Sequence, residues 1–262
     1  MEGPSLFLAK EQLRPFKKHM VVRVSGNTRI DKSRFEGRIV KDIFSWGKHL
    51  LFQFDGFALK VHILMFGTFN AMVEGKSITG DYKKTRAPRL ALTFENGQIE
   101  MYNCSVKIIE HARLKATYDY AADIMSPTWN SALAYRKMKT FPDEEIGDVL
   151  LDQDIFGGVG NIINNEILSL ARTHAKQQVR DLLPQRRKNI LALARSFSIQ
   201  FYKWRKQFVL RRNLKIHRKG VCPHCGGKVT HQKTGKRHRW NHYCPVCQKL
   251  RVRTPKRAHV MT

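Results

Sequence analysis

Four of the five cysteines stand as two pairs, Cys222-x2-Cys225 and Cys244-x2-Cys247, with eighteen residues between the pairs. A Cys-x2-Cys knuckle aims two thiolates at one point, and two knuckles close a tetrahedral site of the kind that holds structural Zn2+. Two disulfides would need an oxidising compartment, and the first twenty residues, with their charges and a Pro, do not read as a secretory signal. A redox pair would not need its duplicate. His224, His238 and His242 stand close enough in sequence to replace a thiolate, although four cysteines suffice. Cys104 stands alone in a predicted strand and reads as a small buried residue.

A second segment with chemical capacity runs from Leu150 to Asn161, where Gly157, Gly158 and Gly160 fall between two predicted helices. Glycines let backbone N–H groups approach a phosphate, and the next helix offers unpaired donors at its start. The same residues also suit a Gly C-cap and an Asn N-cap joining two packed helices. Residue types alone leave both readings open.

Charge indicates the partner. The 262 residues carry 48 Lys and Arg against 21 Asp and Glu, for a net +27. From Arg172 to the last residue there are 25 basic residues and one acid, Asp181. This excess excludes an ordinary metabolic enzyme as the default and points to a polyanion, most simply nucleic acid. Trp204, Trp240, Phe201 and Phe208 lie in the same third, so it reads as a folded binding face rather than a tail. With 42% hydrophobic residues the chain can bury a core, and no run of eighteen apolar residues offers a membrane span.

These residues must be positioned by an ordered series of elements. Leu6, Leu8, Leu13 and Phe16 give residues 5–20 a helical period. Strand-like alternation follows at Val21–Val24, Ile39–Trp46, His49–Phe54, Phe57–Leu64, Arg89–Phe94 and Ile99–Tyr102. Asp55-Gly56 and Asn96-Gly97 mark hairpin turns. Helices are predicted at 129–139, 142–151, 161–171 and 184–209, before the cysteine module. The reading is a multidomain α+β chain without internal repeats. An antiparallel β-sandwich occupies 1–118, a helical domain 119–215, a zinc ribbon 216–250 and a basic tail 251–262.

At this point the sequence resembles the formamidopyrimidine-DNA glycosylase / endonuclease VIII family of base-excision repair enzymes. The resemblance runs in one order along essentially the whole chain. It is carried by Glu2-Gly3-Pro4, Gly47-Lys48-His49-Leu50-Leu51, His62 to Gly67, Leu151-Asp152-Gln153, Gly158 to Ile162, and Arg239 five residues before Cys244. The absence of Arg from Tyr102-Asn103-Cys104-Ser105 is similar to the endonuclease VIII branch, which favours oxidised pyrimidines.

The resemblance implies a glycosylase with AP-lyase activity acting on double-stranded DNA that holds damaged bases or abasic sites. It implies a monomer working where the DNA is, in the cytoplasm at a bacterial nucleoid or in a nucleus. A helix–two-turn–helix motif would match 142–171. The damaged nucleotide is flipped out, and the N-terminal amine attacks its C1′ to form a Schiff base. An α-amine ionises near 7.7–8.0 against about 10.4 for Lys, so roughly a tenth is neutral at pH 7.

By the same resemblance Glu2 assists opening of the sugar ring. Lys48, Asn161, Gly160 and Arg239 meet phosphates beside the lesion. Met65, with Leu64 and Phe66 as possible companions, fills the gap left by the flipped base, and Arg218 joins Arg211, Arg212, Lys215 and Lys219 on the backbone. The family's usual start places Pro before the Glu, whereas Met1 stands in that place here. A large residue after Met normally prevents its removal, so the nucleophile is expected to be the primary amine of Met1. The alternative reading is a protein that binds lesions or abasic sites with impaired catalysis.

Overall fold

A computed structural model describes residues 1–79 and 86–251. Helix α1 (Gly3–Gln12) opens the chain, with Pro4 in its first turn, and a short 3-10 turn follows at Arg14–Phe16. Among the described residues seven strands then make one antiparallel sheet: β1 (Val21–Ser25), β2 (Asp42–Trp46), β3 (His49–Gln53), β4 (Phe57–Val73), β5 (Lys76–Ser77), β6 (Leu90–Phe94) and β7 (Gly97–Glu110). Their order is β1-β6-β7-β4-β3-β2, and β5 pairs with the far end of β4.

The two long strands carry the design. β4 and β7 pair from Phe57↔Glu110 to Ile63↔Cys104, break register, and resume from Thr68↔Tyr102. The first half of this ribbon carries β3 and β2, the second β6 and β1. Both halves bury side chains in one core, where Phe52, Leu59 and Ile63 meet Leu90, Ile99 and Met101 under Leu6, Leu13 and Phe16 of the first helical segment. Each fully buried Phe or Leu contributes about 1.5–3 kcal/mol. The turns fall at Asp55-Gly56 and before Gly97, as the sequence predicts. Both long strands run further than the alternation suggests, because the register break lets pairing continue beyond a bulge at 64–67. Cys104 is buried.

Helix α2 (His111–Thr117) leads into the helical layer: α3 (Ser131–Lys139), α4 (Ile146–Val149), α5 (Asn161–Leu170), α6 (Pro184–Lys206) and α7 (Leu210–Asn213). Ile190, Leu191, Ala194, Phe197 and Phe201 form the buried stripe of α6 at helical spacing. They share a second core with Ile163, Ile167 and Leu168 of α5. The helix predicted over 142–151 is a single turn. Ile146 and Gly147 donate their N–H groups to the carbonyls of Gln177 and Ala175, so the preceding residues are bridged to another segment rather than coiled.

A two-stranded hairpin, β8 (Thr230–Thr234) and β9 (Arg239–Tyr243), completes the described chain. Of the predicted basic tail, 252–262 lies outside the described residues. No helix among the described residues is long and apolar enough to cross a membrane.

Candidate active site and nucleic-acid interface

Three glycines from distant segments meet at the start of the chain. Gly3 donates its N–H to the Gly158 carbonyl at 2.8 Å. A Cβ on Gly3 would stand 2.6 Å from the Gly158 Cα and 3.0 Å from the Gly47 carbonyl oxygen. Only bare backbone permits this junction of the N-terminus, the β2–β3 turn before Lys48 and the glycine turn before α5. Gln153 locks the glycine turn, since its Oε1 accepts from Gly158 N–H at 3.0 Å while its Nε2 donates to the Leu151 and Val159 carbonyls.

Glu2 leaves this junction pointing at α5. Its carboxylate accepts from the N–H groups of Ile162 (2.7 Å) and Ile163 (3.2 Å), two first-turn donors that have no partner inside the helix. Gly160 lies directly beneath it, and a Cβ there would meet Glu2 Cγ and Cδ at 2.5 Å. The cap of α5 is therefore Glu2, 160 residues away in sequence, and not Asn161 as one of the two sequence readings had it. Asn161 is the first helical residue, and its Nδ2 donates to the Trp240 carbonyl at 2.8 Å. The other reading is also modified. The N–H groups of Gly157, Gly158 and Val159 are engaged by Ala122, Gln153 and Phe156.

Met1 donates from its amine to the Ile63 carbonyl at 3.1 Å, at the root of the 64–67 bulge. Burial lowers its pKa from the ordinary α-amine value; Glu2 opposes the shift, and the Lys48 and Arg205 charges reinforce it. Burial raises the Glu2 pKa against the opposing pull of Lys48 and the two helix N–H groups. Lys48 is lowered by burial, with Glu2 opposing and Arg239 and Arg237 adding to the shift. Amine, carboxyl, Lys48 and Arg239 are thus within electrostatic reach of one another. An amine whose neutral form burial favours, beside a carboxyl whose pKa burial raises and among cations, suits nucleophilic attack next to phosphate.

Residues 64–67 bulge out of β4 at the register break, with Met65 64% and Phe66 81% exposed. Asn103 Nδ2 holds it through the Met65 carbonyl at 2.6 Å. Arg211, Arg212, Lys215, Arg218, Lys219 and Arg239 are all exposed.

Several working residues carried no signal of their own. His62 donates from Nδ1 to the Lys48 carbonyl at 2.9 Å. Asn165, fully buried, joins α5 to Trp240, Asn241 and His217. Glu166, also fully buried, gathers the N–H groups of Lys215, Ile216 and His217. The spacing of these residues from their partners, about 50 positions or more except for His62, hides them from any local pattern.

Sγ atoms of Cys222 and Cys247 lie 3.9 Å apart and those of Cys225 and Cys244 3.6 Å, all four within 4.8 Å of one another. Bonded sulfurs would stand about 2.05 Å apart. A tetrahedral ion with metal–sulfur bonds of about 2.3 Å spaces its thiolates by about 3.8 Å, so the four cysteines fit a metal. No histidine joins the cluster among the described residues.

This fold is that of the formamidopyrimidine-DNA glycosylases. The structure superimposes on that of the Lactococcus lactis enzyme bound non-covalently to DNA containing an AP site, with TM-score 0.81, 20% identity, 95% of this chain and 100% of that one. A viral DNA glycosylase matches with TM-score 0.80 and 21% identity, over 95% of this chain and 100% of its own. In sequence, human endonuclease 8-like 3 is 28% identical over 83% of this chain, and the chain spans only 36% of that protein's length. The lyase Nei2 of Mycolicibacterium smegmatis, described as acting on apurinic or apyrimidinic sites, is 25% identical over 87% of this chain and 88% of its own. No family model matches the chain. In sequence and in fold the chain is similar to the formamidopyrimidine-DNA glycosylase / endonuclease VIII family, with endonuclease 8-like proteins among its curated relatives.

Proposed function

We propose that this protein is a bifunctional DNA glycosylase and AP lyase that removes oxidised bases, pyrimidines above all, from double-stranded DNA. The observation that carries the reading is the convergence of the Met1 amine, Glu2, Lys48 and the Arg239 strand on one glycine junction. The neutral amine attacks C1′ of the flipped nucleotide and the glycosidic bond breaks. The departing base takes a proton while Glu2 donates to the opening sugar ring. Loss of the C2′ proton from the resulting Schiff base then expels the 3′ phosphate. Lys48, Asn161, Gly160 and Arg239 hold the phosphates around the flipped site, Arg218 and its neighbours grip the backbone beyond it, and Met65 with Phe66 fills the vacated stack.

The cysteine cluster takes Zn2+, whose role is to stiffen the ribbon that carries Arg239. Residues 1–118, 119–215 and 216–250 are read as the catalytic sandwich, the helix–two-turn–helix domain and the ribbon.

Borohydride reduction on an abasic duplex tests the chemistry. A covalent adduct whose modified peptide contains residue 1 is the expected result. An adduct on Lys48 would reassign the nucleophile. Binding to abasic duplex without any adduct would favour the binding-only reading, for which Met1 in the place of the family's Pro is the relevant observation.

A further inference from the structure

The β8–β9 hairpin has two unlike faces. Thr230↔Tyr243, Gln232↔Asn241 and Thr234↔Arg239 pair on one, His231↔His242 and Lys233↔Trp240 on the other. The first face docks: Asn241 is buried and donates to Asn165 Oδ1 at 2.8 Å, and the Tyr243 ring meets His174 edge-on at 4.5 Å. The second carries a run of rings. Trp240 and His231 lie 5.8 Å apart, His231 and His242 5.8 Å, and His242 and His217 4.9 Å. Lys233 places its ammonium 5.5 Å from the indole centroid. Trp240 is 50% exposed, and His231 and Lys233 are exposed beside it.

Cross-strand ring contacts steady a small hairpin, but that duty does not require an indole left half in water. Nor does it explain the charge around it, since no Asp or Glu follows Asp181. Flat π-surfaces interleaved with cations fit a ligand that is planar and anionic at once, which describes unpaired nucleotides. The strand that bears the rings also bears Arg239 on its other face, one residue from Trp240.

We propose that the outer face of this hairpin, formed by Trp240, His231, His242 and Lys233, is a stacking platform for single-stranded DNA, separate from the cleft site. Bases stack on the rings while Lys233 and the flanking cations follow the phosphates. The platform does not depend on the N-terminal chemistry.

The test uses the full chain with its metal, free and as the borohydride-reduced adduct on abasic duplex, titrated with labelled oligothymidine and oligouridine. Oligothymidine should bind both forms and quench tryptophan emission. Trp240→Leu should weaken binding about tenfold and His231→Thr severalfold, and Trp240→Phe should restore most of the affinity. The losses should persist as salt is raised, because stacking releases no counterions. Metal content and melting temperature of each variant show that the ribbon is intact. An adduct that no longer binds oligothymidine, variants that bind like the parent, or tighter binding of oligouridine would each overturn the proposal. Should no adduct form, that failure belongs to the catalytic reading, and the variant series on the free protein decides the platform alone.

Discussion

Gly160→Ala is the sharpest probe of how the site is assembled. At φ −120° and ψ −169° the backbone at 160 accepts any residue, so alanine brings no strain of its own. What it brings is a methyl group 2.5 Å from Glu2 Cγ and Cδ and 2.6 Å from Oε1. Relief to ordinary contact needs about 1 Å of movement, and Glu2 is the part able to move, because α5 is packed along its length. The shift breaks the contacts to Ile162 and Ile163 N–H, charge-assisted bonds that cap a helix and contribute about 1.5–3 kcal/mol together with the cap. A loss of about 2 kcal/mol lowers Tm by roughly 4–8 °C for a chain of this size.

The catalytic effect should be larger than the structural one. Misplacing a catalytic group by about 1 Å costs on the order of 100-fold, so single-turnover base release should fall by about that factor, with affinity for abasic duplex changed only a few-fold. A double-mutant cycle isolates the cause. In a Glu2→Ala background the colliding atoms are gone, and Gly160→Ala should then cost less than about 0.5 kcal/mol. An equal loss of stability in both backgrounds would refute the argument and place the fault in the glycine turn itself.

The lowered pKa of the Met1 amine makes the rate of adduct formation rise with pH and level off below the 7.7–8.0 of a free α-amine. Glu2→Gln removes a negative neighbour that favours the protonated amine and should move the inflection lower; Lys48→Met removes a positive one and should move it higher, both read from trapping rates across pH 5–9. Affinity for undamaged duplex should drop by roughly 10³ between 50 and 200 mM salt if about six phosphates are engaged. Arg239→Ala should weaken lesion DNA more than intact duplex, and equal losses would reduce Arg239 to one cation among many. Metal analysis should find one Zn2+ per chain. Cys244→Ser or a strong chelator should loosen the ribbon and weaken DNA binding before the sheet domain unfolds, and metal-free protein with full affinity would contradict this.

What the sequence makes legible is what short range encodes. The cysteine knuckles are read from spacing because each ligand pair is a single turn, and the hairpins at Asp55-Gly56 and Asn96-Gly97 are read because turn chemistry is local. Helix α6 shows in its buried stripe from Ile190 to Phe201. The boundary of α4 is not readable, since what shortens it is hydrogen bonding to Gln177 and Ala175, about thirty positions away. The site is hidden for the same reason. Gly160 looks like a turn residue and is in fact the floor beneath a side chain from position 2.

Helix α5 explains why such distant pieces act together. Its first turn binds Glu2, its Asn161 and Asn165 hold the Trp240 carbonyl beside Arg239, and its Glu166 fixes the segment 215–217 that leads into the ribbon. One helix therefore sets the distance between the acid proposed to open the sugar and the arginine proposed to grip its phosphate. A disturbance anywhere along its first turn and a half is felt at both ends. The glycines before it are what allow the N-terminus to approach closely enough to be included.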